Sequence, residues 1–165
     1  MKARGSVLVA VLLVAASFFL MGAAMLVENS SSYRAAVLYA ASTQARQLAL
    51  SGLEDARIKL MKDQHFPPPG AVDQTVFGYA ENVVGAEGEV VGRYEVQVDT
   101  SRAVTPYMVI VVQSVGSVVR DGEVLARRQM IAEIDVAVTE RGGTDANPFL
   151  FEIVHFRDEG SLSRD

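Results

Sequence analysis

Residues 6–27 read SVLVAVLLVAASFFLMGAAMLV, and from there no proline occurs until Pro67-Pro68-Pro69, which Gly70 follows. The 22 residues contain no charge. As a helix they extend about 33 Å, the length a bilayer's hydrocarbon core asks for. Lys2 and Arg4 precede the run and Glu28 follows it, so the excess of positive charge keeps the N-terminus cytoplasmic and sends the remainder outward. Working outward, the proline-free stretch lets one helix continue from about Val7 to about Lys62, on the order of 80 Å. Pro67 to Gly70 is a composition that ends any helix.

Beyond the apolar run, Leu38, Ala41, Ala45, Leu48, Ala49, Leu53, Ala56 and Leu60 recur at steps of three and four residues. They form one continuous stripe. Arg34, Arg46, Glu54, Arg57 and Lys59 fall largely off it. Leu38, Ala45, Leu48, Leu53, Ala56 and Leu60 are the residues expected to pack the helix against a C-terminal sheet. Gly22, Ala23, Ala24, Ala35, Ala36, Ala40 and Ala41 are small enough to let neighbouring helix backbones approach closely. Glu28 to Ser32 forms a polar collar where the helix can loosen, and its Asn29-Ser30-Ser31 fits an N-glycosylation pattern that chance also produces. Gly52, unfavourable inside a helix by about 1 kcal/mol relative to Ala, marks either close packing or local unwinding.

In the C-terminal part, residues 64–92 read as an irregular, Gly-bearing connection. Three strands follow, Arg93 to Asp99, Tyr107 to Val119 and Val124 to Val138. In the first, Tyr94, Val96 and Val98 alternate with Arg93, Glu95, Gln97 and Asp99, the pattern of a half-buried strand. Arg120-Asp121-Gly122-Glu123 is a hairpin turn. Val109 to Val112 reads as a central strand. Phe149 to Phe156 reads as a fourth, closing strand, with a surface of exposed aromatics as the alternative. Residues 140–148 form a loop and residues 157–165 a polar tail. The fold class expected is α+β, a long N-terminal helix laid on a small antiparallel sheet. Its segments are 1–5, a short basic leader; 6–27, a membrane-spanning half-helix; 28–63, an amphipathic half-helix; 64–92, the connection; 93–156, the meander; and 157–165, the tail.

Half of the 165 residues are hydrophobic and the net charge is −5. Acidic residues are scattered rather than collected in a block, and no basic footprint for nucleic acid is present. There is no cysteine, which removes disulfides, thiolate zinc sites and cysteine nucleophiles from consideration. His65 and His155 are far apart in sequence and lie near no ligand spacing or nucleophile motif. Gly85, Gly88 and Gly92 are spaced wrongly for phosphate binding. Asp99, Asp121 and Asp145 match no calcium loop. The sequence therefore points to a non-enzymatic protein without metal or cofactor.

The junction Arg4-Gly5-Ser6-Val7-Leu8-Val9-Ala10-Val11-Leu12-Leu13 resembles the leader junction of type IV prepilins, a short basic leader that ends in Gly before an apolar helix. The stretch TQARQLALSGLEDAR at 43–57 is similar to the helical part of PilX-type minor pilins. The resemblance implies cleavage between Gly5 and Ser6 by a prepilin peptidase and N-methylation of Ser6. It implies filament packing from Ser6 to about Ala41, with Val7, Leu8, Ala10, Leu12, Leu13, Phe18, Phe19, Gly22 and Leu26 as packing residues. The implied partners are other pilin or pseudopilin subunits, an inner-membrane assembly platform and membrane lipid. The implied location is the inner membrane before assembly and a pilus or pseudopilus afterwards. Most pilins carry a glutamate where this chain has Ala10, and subunits lacking it are found among K-type pseudopilins and some minor pilins. Two other readings fit the same segment: a secretory signal cut after Ala24, and an uncleaved anchor for a periplasmic accessory or binding domain that does not polymerise.

Overall fold

With no proline and few β-branched residues after Val37, the chain has nothing to break a helix before Lys62. In the computed structural model, α1 runs unbroken over Ala3–Lys62. The structure describes residues 3–63, 66, 74–120, 122–140 and 142–161, with the side chains of 3–6 and 161 outside that description. The chain divides into two units, Met1–Tyr39 and Ala40–Asp165. In the first unit α1 continues as helix through Glu28 to Ser32, so the collar expected to loosen is regular; Ser31 Oγ caps the Glu28 carbonyl at 2.8 Å, bonding locally without interrupting the helix.

In the second unit the sheet has five antiparallel strands in sequence order: β1 (Val76–Val84), β2 (Val90–Asp99), β3 (Val109–Arg120), β4 (Glu123–Asp135) and β5 (Ile153–Ser161). The sequence reading had placed three or four. The strand it missed, β1, lies in the segment read as irregular, because Gly78, Ala80, Glu81 and Asn82 dilute its apolar alternation. Phe77, Tyr79 and Val83 nevertheless pack on the core side. The closing strand starts later and ends later than expected: residues 149–151 form a turn, and Arg157, Asp158 and Glu159 belong to β5 rather than to a tail. Residues 162–165 lie outside the described residues, as do Pro67 to Gly70, His65 and Asp121. β3 is the central strand. Arg120 pairs with Glu123 and Gly122 has φ 80°, the positive value that a two-residue hairpin loop requires.

The core forms where the stripe on α1 meets one face of the sheet. Ala49, Leu53, Ala56 and Leu60 are buried against Val96 and Val98 of β2, Ile110 and Val112 of β3, and Met130, Ala132 and Ile134 of β4, while Ala45 and Leu48 are buried with Val118 of β3. Burying each large aliphatic side chain stabilises by about 1.5–3 kcal/mol. Leu38, assigned to the same stripe from its spacing, is 55% exposed and takes no part. Ala41, by contrast, is buried with Val118, so the covered stretch begins there.

The helix lies unusually close to the sheet, and glycines permit it. A methyl group on Gly116 of β3 would run into the carbonyl oxygen of Ala45 and the amide nitrogen of Ala49, both backbone atoms of α1. On the helix side, a methyl on Gly52 would meet the Ser114 hydroxyl, and would stand 3.0 Å from a Tyr94 ring carbon. Gly52 is therefore a packing position, and α1 is not unwound there. Ser114 Oγ is buried and has no hydrogen-bond partner among the described residues.

Gly116→Ala is expected to destabilise the folded chain by about 1–3 kcal/mol or more, because backbone cannot yield as side chains do. Gly52→Ala should cost less, since better helix propensity offsets about 1 kcal/mol of the overpacking. Ser114→Ala should be neutral or stabilising, as it removes an unpaired buried hydroxyl, and it should soften the Gly52→Ala defect by about 0.5 kcal/mol or more. Denaturant midpoints of the wild type, the three single variants and the Gly52→Ala/Ser114→Ala double variant in detergent decide this; an additive double variant, or Gly116→Ala at wild-type stability, overturns the close-packing account.

Candidate functional site

The candidate site is the surface of α1 in the first unit. Between Val7 and Val27 every large apolar side chain is exposed, from 55% at Val14 to 77% at Phe19. Such a helix, apolar all round, belongs in lipid or against other helices. Its length and composition suffice to span a membrane. The one hydroxyl side chain between Val7 and Val27, Ser17, donates to the Leu13 carbonyl at 2.8 Å, so no polar side chain in the stretch is left for lipid to solvate.

The residues expected to pack a filament, Val7, Leu8, Ala10, Leu12, Leu13, Phe18, Phe19, Gly22 and Leu26, all lie on this exposed surface but are spread around the helix rather than gathered on one seam. Two local features distinguish its sides. Val7, Ala10, Val11, Val14, Ala15 and Phe18 share one face and line a shallow apolar groove floored by the two alanines. At Gly22 nothing stands within 4 Å of where a Cβ would be, and with Ala23 and Ala24 this leaves a notch where a second backbone can come close. Gly5 and Ser6 lie within α1 as backbone. Past the apolar run, Tyr33 and Tyr39 are 72% and 78% exposed, amphipathic rings of the kind that favour a membrane–water boundary.

In the second unit the polar side chains organise the helix rather than a reaction. Lys59 Nζ donates to Asp55 Oδ2 on its own helix and to Glu81 Oε1 on β1, each at 2.6 Å. The Tyr79 hydroxyl donates to Asp55 and the Tyr94 hydroxyl to Glu81, each at 2.8 Å. The Lys59 ammonium also lies 3.9 Å from the centre of the Tyr79 ring, a favourable cation–π distance. At the opposite edge, Arg46 of α1 and Arg128 of β4 converge on Asp158 of β5, at 3.1 and 3.3 Å. The two edge strands are thus each tied to one end of the packed helical segment. Neither tie is legible in the sequence, because one needs β1, which the pattern does not predict, and the other needs Asp158, which reads as tail but lies in β5.

These contacts move ionisation. The hydrogen bond from Lys59, and then that from Tyr94, holds the Glu81 carboxyl below its ordinary range. Burial acts to lower Lys59, but its bonds to Asp55 and Glu81 outweigh that and raise it. Burial, followed by their acidic acceptors, pushes the Tyr79 and Tyr94 hydroxyls up. His155 lies across from Glu133 in the β4–β5 ladder. Among the described residues no group of three or more His, Asp or Glu is placed to hold a metal ion. Comparison with protein-family models, with curated proteins and with solved structures gave no match to this chain.

Because Glu81 is lowered on folding, its contribution is present above the ordinary carboxylate pKa and is lost as pH falls through the depressed folded value. Stability should therefore fall as pH drops below the ordinary carboxylate range, and Glu81→Gln should shrink that fall while costing about 0.2–1 kcal/mol near pH 7, the scale of a half-exposed pair. Urea midpoints of both proteins across this range give the answer; identical pH profiles would remove Glu81 from the tie.

Proposed function

We propose that this chain is a structural subunit, a minor pilin or pseudopilin, of a type IV pilus-like filament or a type II secretion-like pseudopilus. The observation that carries the reading is α1 itself: an unbroken helix whose N-terminal part is apolar on every side and uncovered, while its C-terminal part is buried under a five-stranded sheet. A helix serving only as the core of a domain has no use for twenty exposed apolar positions. One that passes from lipid into a bundle of neighbouring helices uses all of them, because lipid and helix surfaces are interchangeable for an apolar side chain. On this reading the leader is cut between Gly5 and Ser6, Ser6 is methylated, and contacts along Val7 to Leu26 repeat between subunits as a heterologous interface that propagates into a helical filament. The sheet is then the part presented at the filament surface. Prepilin peptidase, an inner-membrane assembly platform and sibling subunits are its proposed partners.

The rival, a single-pass anchor for a domain that does not polymerise, takes its support from Ala10. The apolar groove at this position offers no acid to pair with a positive group on a neighbouring subunit.

Mass measurement of the N-terminal peptide, from cells with and without a prepilin peptidase, separates the two. A peptidase-dependent start at methylated Ser6 is expected. A start at Met1 in both strains would favour the permanent anchor, and a start at Met25 would mean a secreted domain and end the filament reading.

A further inference from the structure

We infer that the outer edge of β1 is an acceptor for an extended segment of a partner polypeptide, which adds to the sheet as a sixth strand. Every antiparallel sheet that does not close has two edges, and each presents a row of backbone donors and acceptors that template pairing unless something blocks it. In this chain the two edges are treated differently. β5 carries Arg157, Asp158 and Glu159 in succession, a glycine at φ 82°, and two register shifts against β4. Charges and bulges of this kind are how edge strands are kept from pairing.

β1 has none of that protection over most of its length. Its nine residues hold no proline and one charge, Glu81, and that carboxylate is turned to the helix side, where Lys59 and Tyr94 engage it. The side facing away from the helix is Val76, Gly78, Ala80, Asn82 and Val84, with both valines exposed, at 39% and 56%. Its single register shift against β2 falls at the end, between Val83 and Val84. Among the described residues no strand pairs with the outer edge of β1.

The surface beside the edge suits a strand. Gly78 and Ala80 leave a shallow trough of about 580 Å3 on the sheet's outer face, whose far side is made by Gln97, Gln113 and the mutually paired Arg93 and Glu95. Gly78 pairs with Gln97, which pairs with Gln113, so one row crosses the trough from the edge inward. A side chain on an added strand next to Gly78 can lean over the missing side chain toward those two amides. Main-chain hydrogen bonds give such additions their affinity and pockets for alternate side chains give their specificity. The segment that fits is extended, free of proline, and bears uncharged polar or β-branched side chains on the trough side.

A second copy of this chain is a poorer occupant. Antiparallel pairing of two β1 strands in one sheet has its two-fold axis normal to the sheet, which runs the two packed helical segments in opposite directions on the same face. Their N-terminal ends would then emerge on opposite sides of the paired sheet. The inference does not depend on the filament reading, because the edge belongs wholly to the second unit.

The test uses the full chain in detergent micelles and a fluorescent nonapeptide with β1's own sequence. Antiparallel pairing centred on Ala80 sets Val76 opposite Val84 and Glu81 opposite Tyr79, with no like charges opposed. Saturable binding with new hydrogen-exchange protection confined to Val76–Val84 is expected. Ala80→Lys and Asn82→Lys, both on the exposed side, should each keep the wild-type thermal midpoint and weaken binding on the order of tenfold, a change of about 1.4 kcal/mol. Lack of saturable binding, equal binding by the lysine variants, or protection at β5 overturns the proposal. Concentration-dependent protection of β1 without peptide would assign the edge to a second copy and overturn the partner reading.

Discussion

The distance between α1 and the sheet governs the second unit. Where Gly116 passes under Ala45 and Ala49, backbone touches backbone, and no side chain is available to absorb an error. That approach goes with a helix stripe in which alanine at 45, 49 and 56 and leucine at 48, 53 and 60 are all buried. It also explains the glycine at 52. On a free helix that residue is a defect of about 1 kcal/mol; here the alternative is a methyl group forced against Ser114, Tyr94 and Val96. Close packing recovers more through dispersion and excluded water than the helix loses in propensity.

The outer strands are secured by more than the apolar packing of Phe77, Tyr79 and Val83 on the core side of β1. Two polar ties add to it. Lys59, Asp55 and Tyr79 bind β1 to the last turns of α1, while Arg46 and Asp158 bind β5 to an earlier part of the packed segment. Each tie is only partly buried, so none of its members has the full desolvation penalty of an interior ion. The rim of the packed segment is thus held by ion pairs and hydrogen bonds, and its middle by apolar contacts.

Much of this was legible in the sequence, and the exceptions have physical causes. The helix was evident because proline is absent for so long and because the stripe repeats at the helical period. The period cannot tell where the covering sheet ends, which is why Leu38 was included although it is exposed. β1 escaped because pattern reading looks for apolar alternation, and a strand whose outer face is Gly78, Ala80 and Asn82 shows only half of one. β5 was displaced because an edge strand tolerates charge, so Arg157 to Glu159 looked like a tail. The apolar surface of the candidate site was plain in the composition of residues 6–27. The polar ties were not, since a tie between Lys59 and Glu81 exists only once the fold has brought α1 and β1 together.

The same helix must satisfy two different surroundings, and Ala10 shows how the apolar part does so. A carboxylate at that place would be costly in lipid unless a positive group met it. With alanine there, Val7, Val11, Val14 and Phe18 surround a shallow depression without a charge, so insertion is unopposed and any helix that docks must do so by shape. Contacts of that kind are weak singly and gain from number and closeness of approach, which the notch at Gly22 to Ala24 provides. On the proposed reading, a subunit built this way contributes no carboxylate at position 10 for an ion pair with a neighbour. Its place in an assembly is then selected by apolar fit along α1 and by the partners its sheet can hold.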